Sequence, residues 1–399
     1  MKKAVLICLS IIIITISLLL LKNYYNDNKV LTIDKKIKVN LKLKGFFGAR
    51  DFTCDSNGNT YIAFKDRIQY IDTNGKSFDI LYDKKLDIDS LEYYKNVLYF
   101  TSLNNLMSYD VNKKEQEILI NTLPNFGDYR NSLIKILGDQ IFVTIGAATN
   151  SGIVGLDNQW LKNNVFSHDF TPKDITLKGN NFGDEKTGAF TAYGTKNFSG
   201  QIVTAHVPGN ASILIYNIKN KNYETYAYGI RNVKGLDFNS ESKLIASVGG
   251  MENRGLRPVN GDSDYIYEIM KNVWYGWPDY SGGDPVTSPK FKGNNNSRLN
   301  FILENHPSTN PPAPIYQYKT LNSIGTLAVD KSGIIGEKDS IYFCDLNDNI
   351  LYKLSKGRIL IQEAFFGKQS KIVSGKFFGR ELKLLDSNSG YIYSVECEK

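Results

Sequence analysis

The stretch that decides the fold is Phe52-Thr-Cys-Asp-Ser-Asn-Gly-Asn-Thr-Tyr-Ile-Ala-Phe64, followed by Arg67-Ile-Gln-Tyr-Ile71 and Asp72-Thr-Asn-Gly75. Apolar and polar residues alternate in the apolar-rich runs, which is the pattern of a half-buried β-strand. The Asp, Asn and Gly residues between the runs favour tight turns, because Asp and Asn bond their own backbone and Gly adopts positive φ. The stretch therefore predicts antiparallel strands joined by short hairpins.

The same unit recurs along the chain at a spacing of roughly 40 residues, which is typical of a propeller blade. Its later copies lie at 97–109, 140–146 with 212–216, 235–269, 326–354 and 371–394. Six imperfect copies predict an all-β fold, a six-bladed β-propeller over residues 30–399. The last copy has only three strands of its own, so we expect the alternating segment 36–43 to complete it and close the ring.

Two long insertions interrupt the repeats, at 151–210 and 271–322. Long loops inside a compact domain are usually functional or disordered. The second insertion is rich in Trp, Tyr, Pro, Gly and Asn, and its aromatic rings would be exposed in a disordered linker. We therefore expect it to be an ordered flap.

The N-terminus predicts a membrane anchor. Lys2 and Lys3 precede an unbroken apolar run at 4–21, which is nearly long enough to span a bilayer as a helix. Two lysines before the run and Lys22 after it favour an N-terminus inside the cell. We expect a short cytoplasmic stub, a single-pass signal-anchor, a tether ending at residue 29 and a propeller on the extracytoplasmic side. A cleaved signal peptide is the alternative, although the run ends without a small-residue cleavage site.

Charge and cysteine content narrow the possible partners. The formal charge is +7, and no Lys/Arg run is interleaved with aromatic residues, so a nucleic-acid partner is excluded. A disulfide in an oxidising compartment is possible, and Cys54 with Cys397 is the pair to test because the first and last blades of a ring are neighbours. Free buried thiols are the alternative.

The segment 226–238 carries the strongest signal for a ligand. Arg231, Asn232 and Lys234 come just before or at the start of a predicted strand, at the mouth of the ring. Two cations and an amide suit a planar anionic ligand. A structural arginine that bonds loop carbonyls is the alternative for Arg231.

A second segment, 248–280, suggests a cation or a sugar. The glycine pair that ends at Gly250 lets backbone carbonyls approach a ligand, and Asp262 and Asp264 are possible ligands of a hard cation or parts of a turn. Further on, an aromatic group forms either a sugar platform or a plug that fixes the flap; it comprises Trp274, Tyr275 and Trp277.

These two segments, in this order, resemble the glucose/sorbosone dehydrogenase family, whose members are six-bladed propellers that use pyrroloquinoline quinone (PQQ). The resemblance lies in Gly229-Ile-Arg-Asn-Val-Lys-Gly-Leu-Asp-Phe238, in Tyr275-Gly-Trp-Pro278, and in Arg130-Asn131 before the strand at 140–146. It is most specific at 226–280 and extends over roughly 45–396. Val233 replaces the family's usual Pro.

The resemblance implies a set of site residues. It places Arg231, Asn232, Lys234, Arg130 and Asn131 against the quinone. It also implies that the backbone carbonyls of Gly250 and Met251 hold a Ca²⁺ ion, which would polarise the quinone for hydride uptake. No lysine matches the family's later cofactor lysine, around 344–347.

The family's catalytic histidine has no counterpart at its usual place, where this chain has Asp128. A base is therefore missing, or it is Asp128. His168 beside Asp169 is the other candidate, because a carboxylate can orient an imidazole for general-base catalysis.

Two functions follow as expectations. The first is a cell-surface oxidoreductase that transfers a hydride from a sugar or polyol hydroxyl to PQQ. The alternative is a non-catalytic extracellular propeller that binds a glycan, a cell-wall component or a protein partner.

Overall fold

The computed structural model describes Thr15 and residues 30–130 and 132–398. The predicted membrane segment 4–21 lies outside the described residues except for Thr15, and so does Asn131. Within the described part of the chain, no helix is long and apolar enough to cross a bilayer.

Six antiparallel sheets form a closed ring, which confirms the predicted all-β propeller. Each sheet is one blade, and its first strand borders the first strands of the two neighbouring blades. The strands of blades 1–3, from the axis outward, are Asp51–Cys54, Thr60–Ala63, Arg67–Ile71 and Ser77–Tyr82; Ile88–Tyr94, Val97–Ser102, Asn105–Asp110 and Glu115–Ile120; and Ile134–Leu137, Gln140–Ile145, Ser212–Asn217 and Tyr223–Tyr228. Those of blades 4–6 are Val233–Phe238, Leu244–Val248, Tyr265–Ile269 and Tyr316–Gln317; Ile324–Asp330, Ser340–Asp345, Ile350–Leu354, Leu360–Phe365 and Leu31–Thr32; and Ile372–Phe378, Glu381–Asp386, Tyr391–Cys397 and Ile37–Lys44.

The N-terminal strand closes the ring as predicted. Ile37–Lys44 pairs antiparallel with Tyr391–Cys397, so the first and last parts of the domain share blade 6. Leu31–Thr32 adds a fifth strand to the outer edge of blade 5. The N-terminal segment thus covers the outer edges of two blades, which otherwise would offer unpaired backbone groups.

The two insertions pack against each other over blades 3 and 4. Apolar residues from both share one hydrophobic core, with Ile153 and Phe190 from the first and Phe291 and Ile302 from the second. We call this unit, residues 151–210 and 271–315, the cap. Its remaining elements are short: Ile175–Leu177 with Gln201–Val203, Asn181–Phe182 with Thr187–Gly188, Tyr280–Ser281 with Asp284–Pro285, and the 3₁₀ turns Gln159–Lys162 and Asn294–Asn296. The second insertion ends earlier than expected, because Tyr316–Gln317 is the outer strand of blade 4.

The predicted Cys54–Cys397 disulfide is wrong, because both thiols are free. Cys54 ends the innermost strand of blade 1, whereas Cys397 ends the third strand of blade 6. Adjacent blades therefore do not bring the two residues together. Cys54 instead contacts Thr60, and Cys344 is buried as a free thiol.

A chain of alternating charges crosses the axis and takes one residue from each blade. Lys376 lies 3.1 Å from Asp51 and 3.2 Å from Glu92, and Lys135 lies 3.3 Å from Glu92 and 3.4 Å from Asp237. Lys331 completes the series, 3.2 Å from Asp237. We call these six residues the charge belt: Asp51, Glu92, Lys135, Asp237, Lys331 and Lys376. All but Lys331 are largely buried, so the belt ties the inner strands of the ring together.

The belt makes the stability of the ring depend on pH at both extremes. Burial opposes ionisation of Asp237, but Lys135, Lys331 and two backbone N–H groups outweigh it and lower its pKa. Its contribution is therefore present above about pH 3.8 and is lost as the pH falls through the folded-state pKa. Burial also opposes the charge of Lys135, but Asp237 and Glu92 raise its pKa, so its contribution is lost only as the pH rises above about 10.5.

Lys376→Ala should be strongly destabilising, because it leaves Asp51 and Glu92 buried without their shared cation. Breaking a buried pair in this way costs about 3–5 kcal/mol of unfolding free energy. Lys331→Ala is the matched control, since its side chain is 44% exposed and its loss should cost about 1 kcal/mol or less. Urea denaturation of the two variants measures both values, and equal losses would contradict the belt's role.

Candidate functional site

The candidate site residues lie at one face of the ring, which we call the upper face. It consists of the loops that enter each innermost strand and the turns that follow each second strand. Antiparallel pairing puts these segments side by side, which is why Arg231, before Val233–Phe238, lies close to Gly250, after Leu244–Val248. The local fold thus brings together the two segments singled out in the sequence.

Arg231 is almost fully buried, and oxygen atoms of the chain surround its guanidinium. Nε donates to the Asn150 carbonyl at 3.1 Å, and Nη1 donates to the carbonyls of Gly249, at 3.3 Å, and Gly250. Nη2 donates to Asn150 Oδ1 at 2.9 Å, to Glu252 Oε1 at 2.8 Å and to the Tyr129 hydroxyl. Every nitrogen of the guanidinium therefore donates to an oxygen of the chain. This is the arrangement expected for a structural arginine that bonds loop carbonyls.

Arg254 binds three carboxylates beside Arg231. It donates to Glu252 at 2.7 Å, to Asp157 at 2.5 Å and to Asp128 at 2.6 Å. Burial favours the neutral form of Glu252, but Arg231 and Arg254 outweigh it and lower the pKa of this carboxyl to about 2. The predicted base Asp128 also accepts a hydrogen bond from Asn158 at 2.8 Å, so its carboxylate is held by two partners.

His168 is not arranged as a carboxylate-oriented base. Its Nδ1 lies 2.9 Å from the backbone carbonyl of Asp169, not from the carboxylate. That carboxylate accepts bonds from the backbone N–H groups of Ala148 and Thr149 and from the Thr149 hydroxyl. Burial raises the pKa of Asp169 to about 7. The pairing expected from the sequence is therefore absent, because the imidazole contacts the backbone of Asp169 while the carboxylate binds Ala148 and Thr149.

The predicted sugar platform is a plug instead. Trp274, Tyr275 and Trp277 are each about 5% exposed or less and lie in the hydrophobic cores of blade 4 and the cap. The indole N–H of Trp277 donates to the Asn150 carbonyl at 3.0 Å, and that of Trp274 donates to the Trp277 carbonyl at 3.2 Å. These rings fix the flap onto blade 4 and present no face to a sugar.

The predicted Ca²⁺ ligands are occupied by other partners. Asp264 accepts backbone N–H bonds from Asn322, Ser323 and Ile324 at 2.7–3.0 Å. Asp262 accepts bonds from the N–H groups of Met251 and Ser263 and from a tyrosine hydroxyl. The carbonyl of Gly250 accepts from Arg231. In the described part of the chain no group of three His, Cys, Asp or Glu side chains is placed to hold a metal. These residues do not fit a Ca²⁺ ion.

A cavity of about 480 Å³ lies on the axis and is lined by all six innermost strands. Its walls include Lys135, Lys376, Asp51 and Glu92, so the charge belt borders it. Leu346 and Ser387, which follow the second strands of blades 5 and 6, also line it and place it at the upper face. We call this space the channel cavity.

Lys234 is a largely buried cation on the wall of the channel cavity. It lines the wall on blade 4, and its ammonium has no hydrogen-bond or ion-pair partner among the described residues. Burial and, next, the nearby Arg231 lower its pKa. Two residues earlier, Asn232 is 2% exposed and its Nδ2 has no partner in the described structure. A buried donor without an acceptor is costly to a fold, so the Asn232 amide points to a missing acceptor.

Asp89 is a cavity residue that the sequence did not reveal. Arg50 and Arg130 bind its neighbour Asp87 at 2.5 and 2.6 Å, whereas Asp89 has only longer contacts, 3.5 Å to Arg50 and 3.4 Å to Asn125. Burial therefore prevails and raises the pKa of Asp89 to about 6. Arg130, a predicted quinone contact, is tied to Asp87 at this rim, and Asn131 lies outside the described residues.

The residues of the channel cavity fit an anionic quinone in charge and space. PQQ carries carboxylates and ring carbonyls, which are the acceptors that Lys234 and Asn232 lack. Of the predicted contacts, Lys234 lines the cavity, whereas Asn232 is not among its lining residues and Arg231 has no free donor. The resemblance implies a quinone together with a Ca²⁺ ion. The residues present fit the quinone and do not fit the ion.

Comparisons with known proteins support the fold. No protein-family model matches the sequence, and no curated protein matches it. Among solved structures, the chain is similar to the holo form of the PQQ domain of pyranose dehydrogenase from Coprinopsis cinerea, with a TM-score of 0.62 and 11% identity over 92% of this chain and 97% of that one. A calcium structure of a carbohydrate-active enzyme of family AA12 from Trichoderma reesei gives a TM-score of 0.63 and 11% identity, covering 93% and 98%.

The PQQ-bound form of aldose sugar dehydrogenase from Streptomyces coelicolor gives a TM-score of 0.56 and 15% identity, covering 92% and 99%. Coverage of nearly the whole of each chain shows that the similarity is that of an entire propeller. At these identities the similarity shows a shared fold.

Asp89→Asn should change how stability varies with pH. Because folding raises the pKa of Asp89, its contribution is present below about pH 3.8 and is lost as the pH rises through about 6. The variant should gain about 2 kcal/mol of unfolding free energy relative to wild type between pH 4 and pH 7. Urea denaturation at several pH values measures this difference. The exposed Asp184→Asn is the control and should run parallel to wild type, and parallel curves for Asp89→Asn would refute the assignment.

Proposed function

We propose that this chain is a sugar-dehydrogenase-type propeller that binds PQQ, or a quinone of similar charge, in the channel cavity and oxidises a sugar or polyol hydroxyl. The observation that carries the proposal is Lys234, a cation without an ion-pair partner among the described residues, on the wall of a cavity of about 480 Å³. The whole-length similarity in fold to PQQ-bound sugar dehydrogenases supports it.

Lys234 is the residue of the cavity that would bind the quinone. Its ammonium would pair with a ligand carboxylate. Charge-assisted bonds of this kind contribute about 1.5–3 kcal/mol each when buried. PQQ, when bound, supplies the carbonyl group that accepts a hydride.

A proton acceptor for the substrate hydroxyl is also needed. Asp89 lines the same cavity, and a carboxyl with a pKa of about 6 can take a proton near neutral pH. Of the two candidates derived from the sequence, Asp128 accepts a hydrogen bond from Arg254. His168 contacts a backbone carbonyl. We therefore favour Asp89 Oδ over both for holding this proton.

A non-catalytic propeller is the second candidate function. The hydrogen bonds that already occupy Asp128 and His168 favour this function. The exposed rings of Phe166 and Phe198 on the cap, which are 85% and 68% accessible, also favour it. Exposed rings can stack on a glycan or pack against a protein. If this function holds, Phe166→Ala with Phe198→Ala should abolish retention of the chain on isolated cell walls, and PQQ should not bind.

We further propose that the propeller lies on the outer face of the cell membrane, held by segment 4–21. The support is the order of Lys2, Lys3 and an unbroken apolar run in the sequence. Protease added to intact cells should then degrade the propeller, and its protection until lysis would contradict this location.

Lys234→Met should weaken PQQ binding about tenfold or more, because the ligand loses its charge-assisted contact in the cavity. The measurement is an absorbance titration of the full-length chain in mild detergent, with dye reduction over a panel of sugars. Lys76→Met, on an exposed hairpin of blade 1, is the control and should bind as wild type does.

Two results would overturn the proposal. If wild type fails to bind PQQ at micromolar concentrations, the oxidoreductase function falls. If wild type and Lys234→Met bind equally well, the quinone does not use the channel cavity.

A further inference from the structure

The ring of Tyr129 covers the guanidinium of Arg231, with its centroid 3.8 Å from Cζ, and six oxygen atoms accept the hydrogen bonds of the guanidinium. Four are amide oxygens, from Gly249, Gly250 and both the backbone and the side chain of Asn150. The fifth is a carboxylate oxygen of Glu252 and the sixth is the Tyr129 hydroxyl. Six hard oxygens with one carboxylate are the ligand set that Ca²⁺ prefers.

We propose that Arg231 is a built-in cation that fills a calcium-type oxygen site, so that the upper face assembles without a divalent ion. This inference deepens the proposed function, and it rests on that function for the role of the upper face. It assigns to the site a permanent organic cation where the family resemblance implies Ca²⁺.

The burial and connectivity of the oxygens explain why the site needs a cation. Asn150 bonds back to residues 252–254, since its Nδ2 donates to the carbonyls of Glu252, at 2.7 Å, and Arg254, at 3.1 Å. The N–H of Glu252 donates to Asn150 Oδ1 at 2.7 Å. The turn after the second strand of blade 3 is thus joined to that of blade 4 with its oxygens pointing inward at Arg231. Without a positive charge at the centre, the carbonyls of Gly249 and Gly250 would lose their only donor in the described structure, and the Glu252 carboxylate would lose one of its cations.

The guanidinium and a metal ion exclude each other at this position. The carbonyl of Gly250 accepts from Nη1, and Glu252 Oε1 lies 2.8 Å from Nη2. A Ca²⁺ ion would need the same lone pairs at 2.3–2.6 Å, as is typical of its coordination, and would lie against a like charge. Removal of the arginine side chain should therefore expose a latent Ca²⁺ site.

The test compares thermal unfolding of full-length wild type, Arg231→Ala and Arg231→Lys in mild detergent, without quinone. Each is measured in EDTA, in 10 mM Mg²⁺ and in about 10 mM Ca²⁺. At this concentration, a site with a Kd of about 1 mM increases the folding equilibrium constant about tenfold. Arg231→Ala should have a lower Tm than wild type in EDTA, and Ca²⁺ but not Mg²⁺ should raise it by about 2 °C or more. If Arg231→Ala folds only when Ca²⁺ is present, that result supports the latent Ca²⁺ site equally.

Wild type and Arg231→Lys should change by less than about 1 °C with Ca²⁺, because a cation already fills their site. A specific Ca²⁺ response in wild type would overturn the inference, whether or not the variants fold. A folded Arg231→Ala that ignores Ca²⁺ would also overturn it. Because quinone is absent throughout, these outcomes are independent of whether PQQ binds.

Discussion

The charge belt is the interaction on which the rest of the structure depends. A six-bladed ring has a hole at its axis, and the innermost strands must either fill it or leave polar backbone facing water. Here Asp51, Glu92 and Asp237 alternate with three lysines, so each blade is bonded through charge to a neighbour. The belt leaves an open cavity at the upper face. It also explains why Lys234 stands out, since the other buried lysines that line this cavity, Lys135 and Lys376, have carboxylate partners.

A second cluster, around Arg231, holds the loops above blades 3 and 4. Its arginine satisfies acceptors from two turns and a tyrosine, while the cap covers the cluster with the indole of Trp277. The upper face therefore has two parts with different properties. The part under the cap is saturated with internal hydrogen bonds. The part on the axis retains Lys234, whose ammonium has no partner among the described residues. This contrast is the reason for proposing that the ligand binds in the second part.

The fold was largely predictable from the sequence, because hairpin turns and strand alternation are local signals that repeat six times. The closure of blade 6 by 36–43 followed from counting strands. The innermost strand of blade 2, Ile88–Tyr94, was missed, and Asp89 was missed with it. The hydrogen-bond and packing partners of the site side chains could not be predicted from the sequence, for a different reason. Nothing local to Arg231 shows that Asn150, some 80 residues earlier, consumes its donors, and nothing local to Trp274 shows that the cap buries it.

We propose that the ligand of this propeller binds on the axis, between the charge belt and the upper face, and not against the Arg231 cluster. A crystal structure of the chain grown with PQQ in calcium-free buffer tests it most directly. We expect quinone density in the channel cavity, with a carboxylate within hydrogen-bond distance of Lys234 Nζ and the bonds of Arg231 to Gly250 and Glu252 unchanged. Quinone bound against a displaced Arg231, or an empty cavity with quinone elsewhere, would contradict it.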